Sequence, residues 1–307
     1  MRSFHLPRHA IISAPFTPMD ENGDIAPDSV PRMVDFLVAN GVKGAFICGS
    51  TGEGPSLTLS ERKALFSAWG KASPTDFSTI AMTGGSCLPD AKELAHDAQD
   101  AGIQAIAIVP PGYFPVGSLE SLVGYCQEIA ATVPDMPVFY YHIPVLTGVS
   151  FSMFAFLQLA ETRIPNLIGI KYSHSNLMDF QQCTRFRDGK YIMLWGRDEE
   201  LLAALSMGAD GAVGSTYNYH MPVYQKVLQA FEKGDIHGAR FYQEKAIAAI
   251  ALLHQYGGLS AGKAMMQMIG MDCGPVRSPL SAITPQAREL LYEGLVAIGF
   301  FDECNAV

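Results

Sequence analysis

The sequence has no cysteine pair at CxxC spacing. Its six cysteines, Cys48, Cys87, Cys126, Cys183, Cys273 and Cys304, are scattered along 307 residues. That spread excludes a disulfide framework as an organising device and suits reduced thiols. Metal-ligand spacing is missing as well: the eight histidines form no HExxH or comparable arrangement, so no metal is expected. No Lys/Arg cluster occurs, charged residues make up only 17% of the chain and the net charge is −9, which argues against a nucleic-acid groove. No apolar run approaches the ~20 residues of a membrane span. The longest, Ala246 to Leu253, falls far short, and Met1 to Pro18 has no secretory h-region. The expectation is a cytoplasmic protein with neither a membrane nor a nucleic acid as partner.

What is present is apolar and periodic. Hydrophobic residues reach 49%, enough for a large core and a hint of subunit interfaces. From Ala10 onward, short apolar strands alternate with amphipathic helical stretches. The strands are expected at Ala10–Ala14, Val42–Ile47, Phe77–Met82, Ala105–Val109, Pro137–Tyr141, Leu167–Lys171, Tyr191–Trp195 and Gly211–Gly214. Between them the helical spacing covers Asp28–Val38, Ser60–Ala72 with Ser60 as N-cap, Pro89–Ala101, Leu119–Thr132, Phe151–Ala160, Leu177–Phe186, Glu199–Met207 and Pro222–Lys233. Eight such alternations imply parallel strands with crossover helices and the number that closes a (β/α)8 TIM barrel. A doubly wound open sheet is the competitor, but the first strand-to-helix turn carries no GxGxxG. After Gly234 the strands stop, and Ile236–Leu253, Ala261–Ile269 and Pro285–Ile298 read as helices. The expected organisation is a barrel over residues 1–233 carrying the active site and a C-terminal helical appendage over 234–307.

In such a barrel chemistry sits where the strands end. The sixth strand, Ile168-Gly169-Ile170, ends on Lys171. A lysine there either snorkels to water, pairs with a charge, or works as a desolvated neutral amine that attacks a carbonyl. The second strand is followed by Gly49-Ser50-Thr51-Gly52-Glu53-Gly54, whose hydroxyls and amides could hold a carboxylate, though such loops are also plain tight turns. Tyr141 ends the fifth strand, Gly196-Arg197-Asp198-Glu199 follows the seventh, and Gly214-Ser215-Thr216-Tyr217-Asn218 the eighth. Each has a structural alternative: Asp198 could cap the seventh helix, and the Gly-Ser-Thr loop could bind phosphate. Together, an amine, a phenol and an anion-holding loop are the parts needed to condense an amine with a 2-oxo acid.

These motifs, in this order, resemble the dihydrodipicolinate synthase/N-acetylneuraminate lyase family of class I aldolases, and within it the lyase branch. The likeness rests on Gly49 to Gly54, Tyr140 to Pro144 with Leu146-Thr147-Gly148, Gly169 to Lys171, and Gly214 to Asn218. It implies that Lys171 forms a Schiff base with the keto carbon of pyruvate or of an open-chain sialic acid. Ser50 and Thr51 would hold the carboxylate, Tyr141 would relay protons, and Tyr113 would approach a neighbouring subunit's site in a homotetramer. Ser173, Gly196, Asp198, Glu199 and Ser215 would contact the polyhydroxyl tail. No cofactor is implied beyond the imine on Lys171, and the partners would be small molecules: sialic acid, pyruvate and N-acetylmannosamine. Two departures stand out. Dihydrodipicolinate synthases carry an arginine where this chain has Leu146, and losing such a charge-assisted bond costs roughly 1.5 to 3 kcal/mol, disfavouring their anionic substrate. His142 replaces the asparagine of many relatives. The alternatives are a pyruvate aldolase or dehydratase for another sugar acid, and a silent sugar-acid sensor, against which intact Lys171 and Tyr141 speak.

Overall fold

Eight short parallel strands close on one another in sequence order, β1 to β8, with β8 returning to pair with β1. The computed structural model describes Phe4 and residues 6–306; Met1 to Ser3, His5 and Val307, which the expected barrel and extension include, lie outside the described residues. The strands are β1 (Ala10–Ser13), β2 (Gly44–Ile47), β3 (Ser78–Met82), β4 (Ala105–Ile108), β5 (Val138–His142), β6 (Leu167–Tyr172), β7 (Ile192–Trp195) and β8 (Gly211–Gly214). Around them lie α1 (Val30–Ala39), α2 (Leu59–Ala72), α3 (Leu88–Asp100), α4 (Leu119–Ala130), a single turn α5 (Pro144–Thr147), α6 (Met153–Ala160), α7 (Leu177–Arg185), α8 (Leu201–Ser206) and α9 (Met221–Glu232). This is a TIM barrel, extended by α10 (Ile236–Gln255), α11 (Leu259–Met268) and α12 (Pro285–Ala297).

Why the strands are apolar on both faces follows from the two cores. Side chains alternate in direction along a strand. One set, including Ile12, Phe46, Ile80, Phe139, Tyr141, Leu194 and Val213, fills the barrel interior. The other packs outward against the helices with Leu65, Phe66, Phe156 and Val227. Alternation places Lys171 on the inward set, because it stands two residues after Gly169, whose missing Cβ leaves room for the Phe139 ring. In the ladder Lys171 is level with Tyr141 on one side and Leu194 on the other. The barrel therefore aims an amine into an apolar interior near its C-terminal mouth.

Element boundaries differ from the expectations mainly at caps. Thr58, not Ser60, is the N-cap of α2: the Glu61 N–H donates to Thr58 Oγ1 at 3.3 Å and the Thr58 N–H donates back to Glu61 Oε2 at 2.8 Å. This reciprocal box satisfies two orphan donors, whereas Ser60 already lies in the first turn. The stretch expected to be helical from Glu199 begins as a tight 3-10 turn over Asp198–Glu200 before α8. The C-terminal helices are bonded into the mouth. Gln243 of α10 accepts from Leu202 N–H at 3.0 Å and donates to the Asp198 carbonyl at 3.1 Å. Near the end of the chain, Asn305 caps α9 by accepting from Met221 N–H at 2.8 Å.

The capping correction is testable. Thr58→Ala should lower unfolding stability by about 1 kcal/mol, the usual worth of a cap, whereas Ser60→Ala should change it by much less. Denaturant midpoints of the two variants decide it, and equal effects would reassign the cap.

Candidate active site

Lys171 is 4% exposed, and its Nζ sits 3.7 Å from the centroid of the Phe46 ring and 4.2 Å from that of Tyr141. Among the described residues no carboxylate lies within ion-pair distance of it. Burial lowers the amine to about 7, opposed in part by the more distant Asp198 carboxylate. A lysine normally titrates near 10.4, so at neutral pH a large share of this one is an unprotonated nucleophile. The aromatic faces give the ammonium form some support, yet far less than water or a paired anion would.

Tyr141 projects beside it, with its ring edge-on to Phe46 at 5.2 Å. Its hydroxyl lies 3.4 Å from Ser50 Oγ. Burial raises its pKa, while the Ser50 and Ser173 hydroxyls partly offset that effect, so the phenol stays protonated and can give and retake a proton. Ser50 and Thr51 occupy the turn after β2. Its ends are closed by Gly54 N–H to the Gly49 carbonyl at 3.0 Å, and its flank by Thr17 Oγ1 to the Gly52 carbonyl at 2.6 Å. Gly54 is required here, since a Cβ would fall 1.8 Å from the Cys48 carbonyl oxygen.

The opposite wall comes from β6, β7 and β8. Ser173 Oγ is buried and finds no aligned hydrogen-bond partner. It fills the space where Gly196 lacks a side chain, as a Cβ there would come within 1.9 Å of it. Asp198 is buried; its Oδ2 accepts from Thr216 N–H at 2.8 Å and Thr216 Oγ1 at 2.6 Å. Burial raises its pKa against the pull of those two bonds. The carboxyl lies over Gly214, whose Cβ would overlap it. Asp198 does not cap α8 with its side chain; it joins the β7 loop to the β8 loop. Glu199, at the mouth, is paired with Arg197 at 2.8 Å.

These groups surround one open cavity of about 290 Å³. The structure brings together Lys171, Tyr141, Ser50, Thr51, Ser173, Gly196, Asp198, Glu199 and Ser215 as its lining. Tyr113 is not among them. It is 82% exposed, edge-on to Phe114, and lines a neighbouring cavity of about 610 Å³ together with Leu146. Residues that sequence reasoning did not single out also line the site: Arg197, Thr216 and, from α10, Ile250, Leu253 and His254. Arg197 and Thr216 stood inside quoted motifs. The α10 residues had no local signal, because only tertiary packing shows which face of that helix meets the mouth. Among the described residues no group of three or more His, Cys, Asp and Glu side chains could hold a metal ion, and no helix is long and apolar enough to cross a membrane.

Comparison with known proteins agrees with this architecture. A model of the dihydrodipicolinate synthetase family matches residues 7–297. The chain is 37% identical over 281 residues to the N-acetylneuraminate lyase of Rattus norvegicus, covering 90% of this chain and 88% of the relative. Identity to the Homo sapiens N-acetylneuraminate lyase is 39% over 275 residues, 88% of this chain and 86% of that one. Among solved structures, the Proteus mirabilis N-acetylneuraminate lyase superposes with a TM-score of 0.92 at 37% identity, spanning 96% of this chain and 100% of that one.

A desolvated lysine has a stability signature. Its folded pKa of about 7 lies below the unfolded value, so the cost of holding it buried is fully present below that pH. The cost then fades as pH rises towards the unfolded pKa near 10. Lys171→Met should therefore raise stability at pH 7 by something on the order of a few kcal/mol, with a gain that shrinks towards pH 10. Thermal or denaturant unfolding across that range checks it; a destabilised Lys171→Met at neutral pH would contradict the desolvated amine.

Proposed function

The chain belongs to the dihydrodipicolinate synthetase family, and from that premise we propose that it is a Schiff-base aldolase cleaving N-acetylneuraminate reversibly to pyruvate and N-acetylmannosamine. The observation that carries the reading is the amine of Lys171, buried to a pKa of about 7 beside a protonated tyrosine at the end of a barrel strand. The likeness to lyases in sequence and fold supports the substrate.

The chemistry follows from the arrangement. The neutral Lys171 amine attacks the keto carbon of the open-chain sugar acid, and the Tyr141 phenol gives its proton to the carbinolamine hydroxyl, which leaves as water and yields a protonated imine and a tyrosinate. Ser50 and Thr51 donate to the adjacent carboxylate and fix the keto group over the amine. The deprotonated Tyr141 oxygen, 3.4 Å from Ser50 Oγ, then takes the proton from the hydroxyl on the carbon being cleaved. As the carbon–carbon bond breaks, its electron pair moves into the iminium, giving the enamine of pyruvate and an aldehyde, N-acetylmannosamine. Reprotonation of the enamine and hydrolysis of the imine release pyruvate. No external cofactor enters, because the iminium is itself the electron sink.

The tail of the sugar then falls to Ser173, Gly196, Asp198, Glu199 and Ser215. Ser173 Oγ, which has no aligned hydrogen-bond partner, and the Asp198 oxygen not held by Thr216 suit hydroxyl donors and acceptors along that tail. Leu146 stands 61% exposed on the turn α5, outside this cavity. It supplies no cation for the carboxylate of an aspartate semialdehyde. Tyr113, Phe114 and Val145, exposed around the mouth, fit a neighbouring subunit in a homotetramer, with Tyr113 reaching the neighbour's site. A cytoplasmic location completes the reading.

Purified protein given N-acetylneuraminate should release pyruvate, and borohydride should trap pyruvate on Lys171 by mass spectrometry. Label elsewhere, or none, would remove the mechanism. Tyr141→Phe should retain trapping and lose roughly 10²- to 10⁴-fold in turnover, the usual contribution of a proton-relaying group. Trapping should become faster as pH rises through about 7, because the neutral amine is the attacking form. Efficient condensation of pyruvate with aspartate semialdehyde would point instead to the synthase branch.

A further inference from the structure

The turn that carries Ser50 and Thr51 is held from behind by a buried ion pair belonging to the C-terminal helices. Glu53 is 3% exposed and has left-handed backbone, φ 54° and ψ 26°. Lys263 of α11, 4% exposed, brings its Nζ to 2.9 Å from Glu53 Oε1 and also donates to the Pro275 carbonyl. The approach to Oε1 is not aligned as a hydrogen bond, so the contact is ionic. Glu53 Oε2 accepts the Arg277 backbone N–H at 2.7 Å. Arg277 in turn forks onto the Glu61 carboxylate and donates to the Ser56 carbonyl at 3.2 Å. On the other side, the Glu53 N–H donates to the Ser50 carbonyl at 3.1 Å. A chain of contacts thus runs from α11 through Glu53 to the peptide of Ser50.

As a stability device this pair is poorly justified. Removing two charges from water is costly, and well-packed apolar residues often do as well or better. A non-glycine residue in left-handed backbone adds a further cost. Both penalties fall on one residue, three positions after Ser50, and a fixed geometry at that turn is what they obtain. We propose that the Glu53–Lys263 pair positions the Ser50–Thr51 turn to meet the carboxylate of the keto acid, making α11 a working part of the site although neither residue lines the Lys171 cavity. This rests on the reading that Ser50 and Thr51 hold that carboxylate.

The test compares wild type with Glu53→Gln, Lys263→Met and the double variant Glu53→Gln/Lys263→Met. For each, three quantities are measured: the pyruvate concentration that half-saturates borohydride trapping, KM and kcat for N-acetylneuraminate cleavage, and Tm. Half-saturation and KM are read on whatever fraction folds. Both single variants should raise half-saturating pyruvate and KM about tenfold, the scale of one misplaced charge-assisted hydrogen bond, with a smaller change in kcat. The singles should also lose Tm. The double variant, which leaves no charge unpaired, should recover Tm while its pyruvate affinity stays weak. Affinity that returns together with Tm, affinity unchanged in every folded variant, or a double variant that never folds would each assign the pair to stability and overturn the proposal. Ser50→Ala and Thr51→Ala separate the two failures. If they weaken pyruvate trapping and the pair variants do not, only the positioning role falls. If they leave it unchanged, the carboxylate reading falls and takes the proposal with it.

Discussion

The desolvation of one amine is the constraint on which the rest of the site depends. A barrel interior lined by Phe46, Tyr141, Leu194 and Val213 solvates an ammonium poorly, and that burial is what brings Lys171 to about 7. A carboxylate beside it would undo this, since an ion pair at close range favours the charged form. Asp198 shows how the conflict is resolved. It is near enough to act on Lys171 through space, yet its Oδ2 is committed to Thr216. The acid is thus kept for the far end of the cavity, while the amine keeps aromatic neighbours. Reactivity and cost have one origin, the missing solvent.

The remaining positions are set by where side chains are absent. Gly196 makes room for Ser173, Gly214 for Asp198, and Gly54 for the Cys48 carbonyl. Gly196 and Gly214 each let a loop from one strand close onto its neighbour, and Gly54 lets the β2 turn fold back onto its own start, so that polar groups from β2, β6, β7 and β8 converge within one small cavity. A methyl group at any of the three would collide with backbone or with a group the site needs. The glycines flanking the polar motifs are therefore part of the geometry rather than spacers between functional residues.

Much of this was legible in the residues because barrel topology converts linear order into place. Once eight strands alternate with helices, a residue at a strand end must face the C-terminal mouth. Lys171, Tyr141, Ser50 and Asp198 could be brought together without knowing a single distance. The likeness to known aldolases added the roles. What could not be read depended on choices between near neighbours or on long-range docking. Thr58 and Ser60 are both good caps, and only the partner Glu61 selects the first. Tyr113 sits in the loop after β4 and lines the neighbouring cavity instead, a placement that no local pattern marks. His254 and Lys263 lie on helices beyond the barrel, with no periodic feature marking the face that meets the mouth.

His142 illustrates how far alternation alone carries the argument. It follows Tyr141, so its side chain must leave the barrel interior and enter the layer between strands and helices. There it packs among Tyr140, Tyr172 and His174, with ring centroids 6.3, 4.9 and 5.7 Å away. Burial is the main influence on its pKa, pushing it down to about 3, so the ring is neutral at neutral pH. It cannot serve as the proton carrier of the cavity, because it lies on the wrong side of its own strand. Its neighbour Tyr172 donates to Asp179 Oδ2 at 3.0 Å, and Asp179 also accepts the Met153 N–H at 2.9 Å at the start of α6. The polar layer behind β5 and β6 thus anchors helices to strands. Tyr141 and Lys171, one residue earlier on each strand, are level with each other because that layer and their ladder hold the strand ends in register.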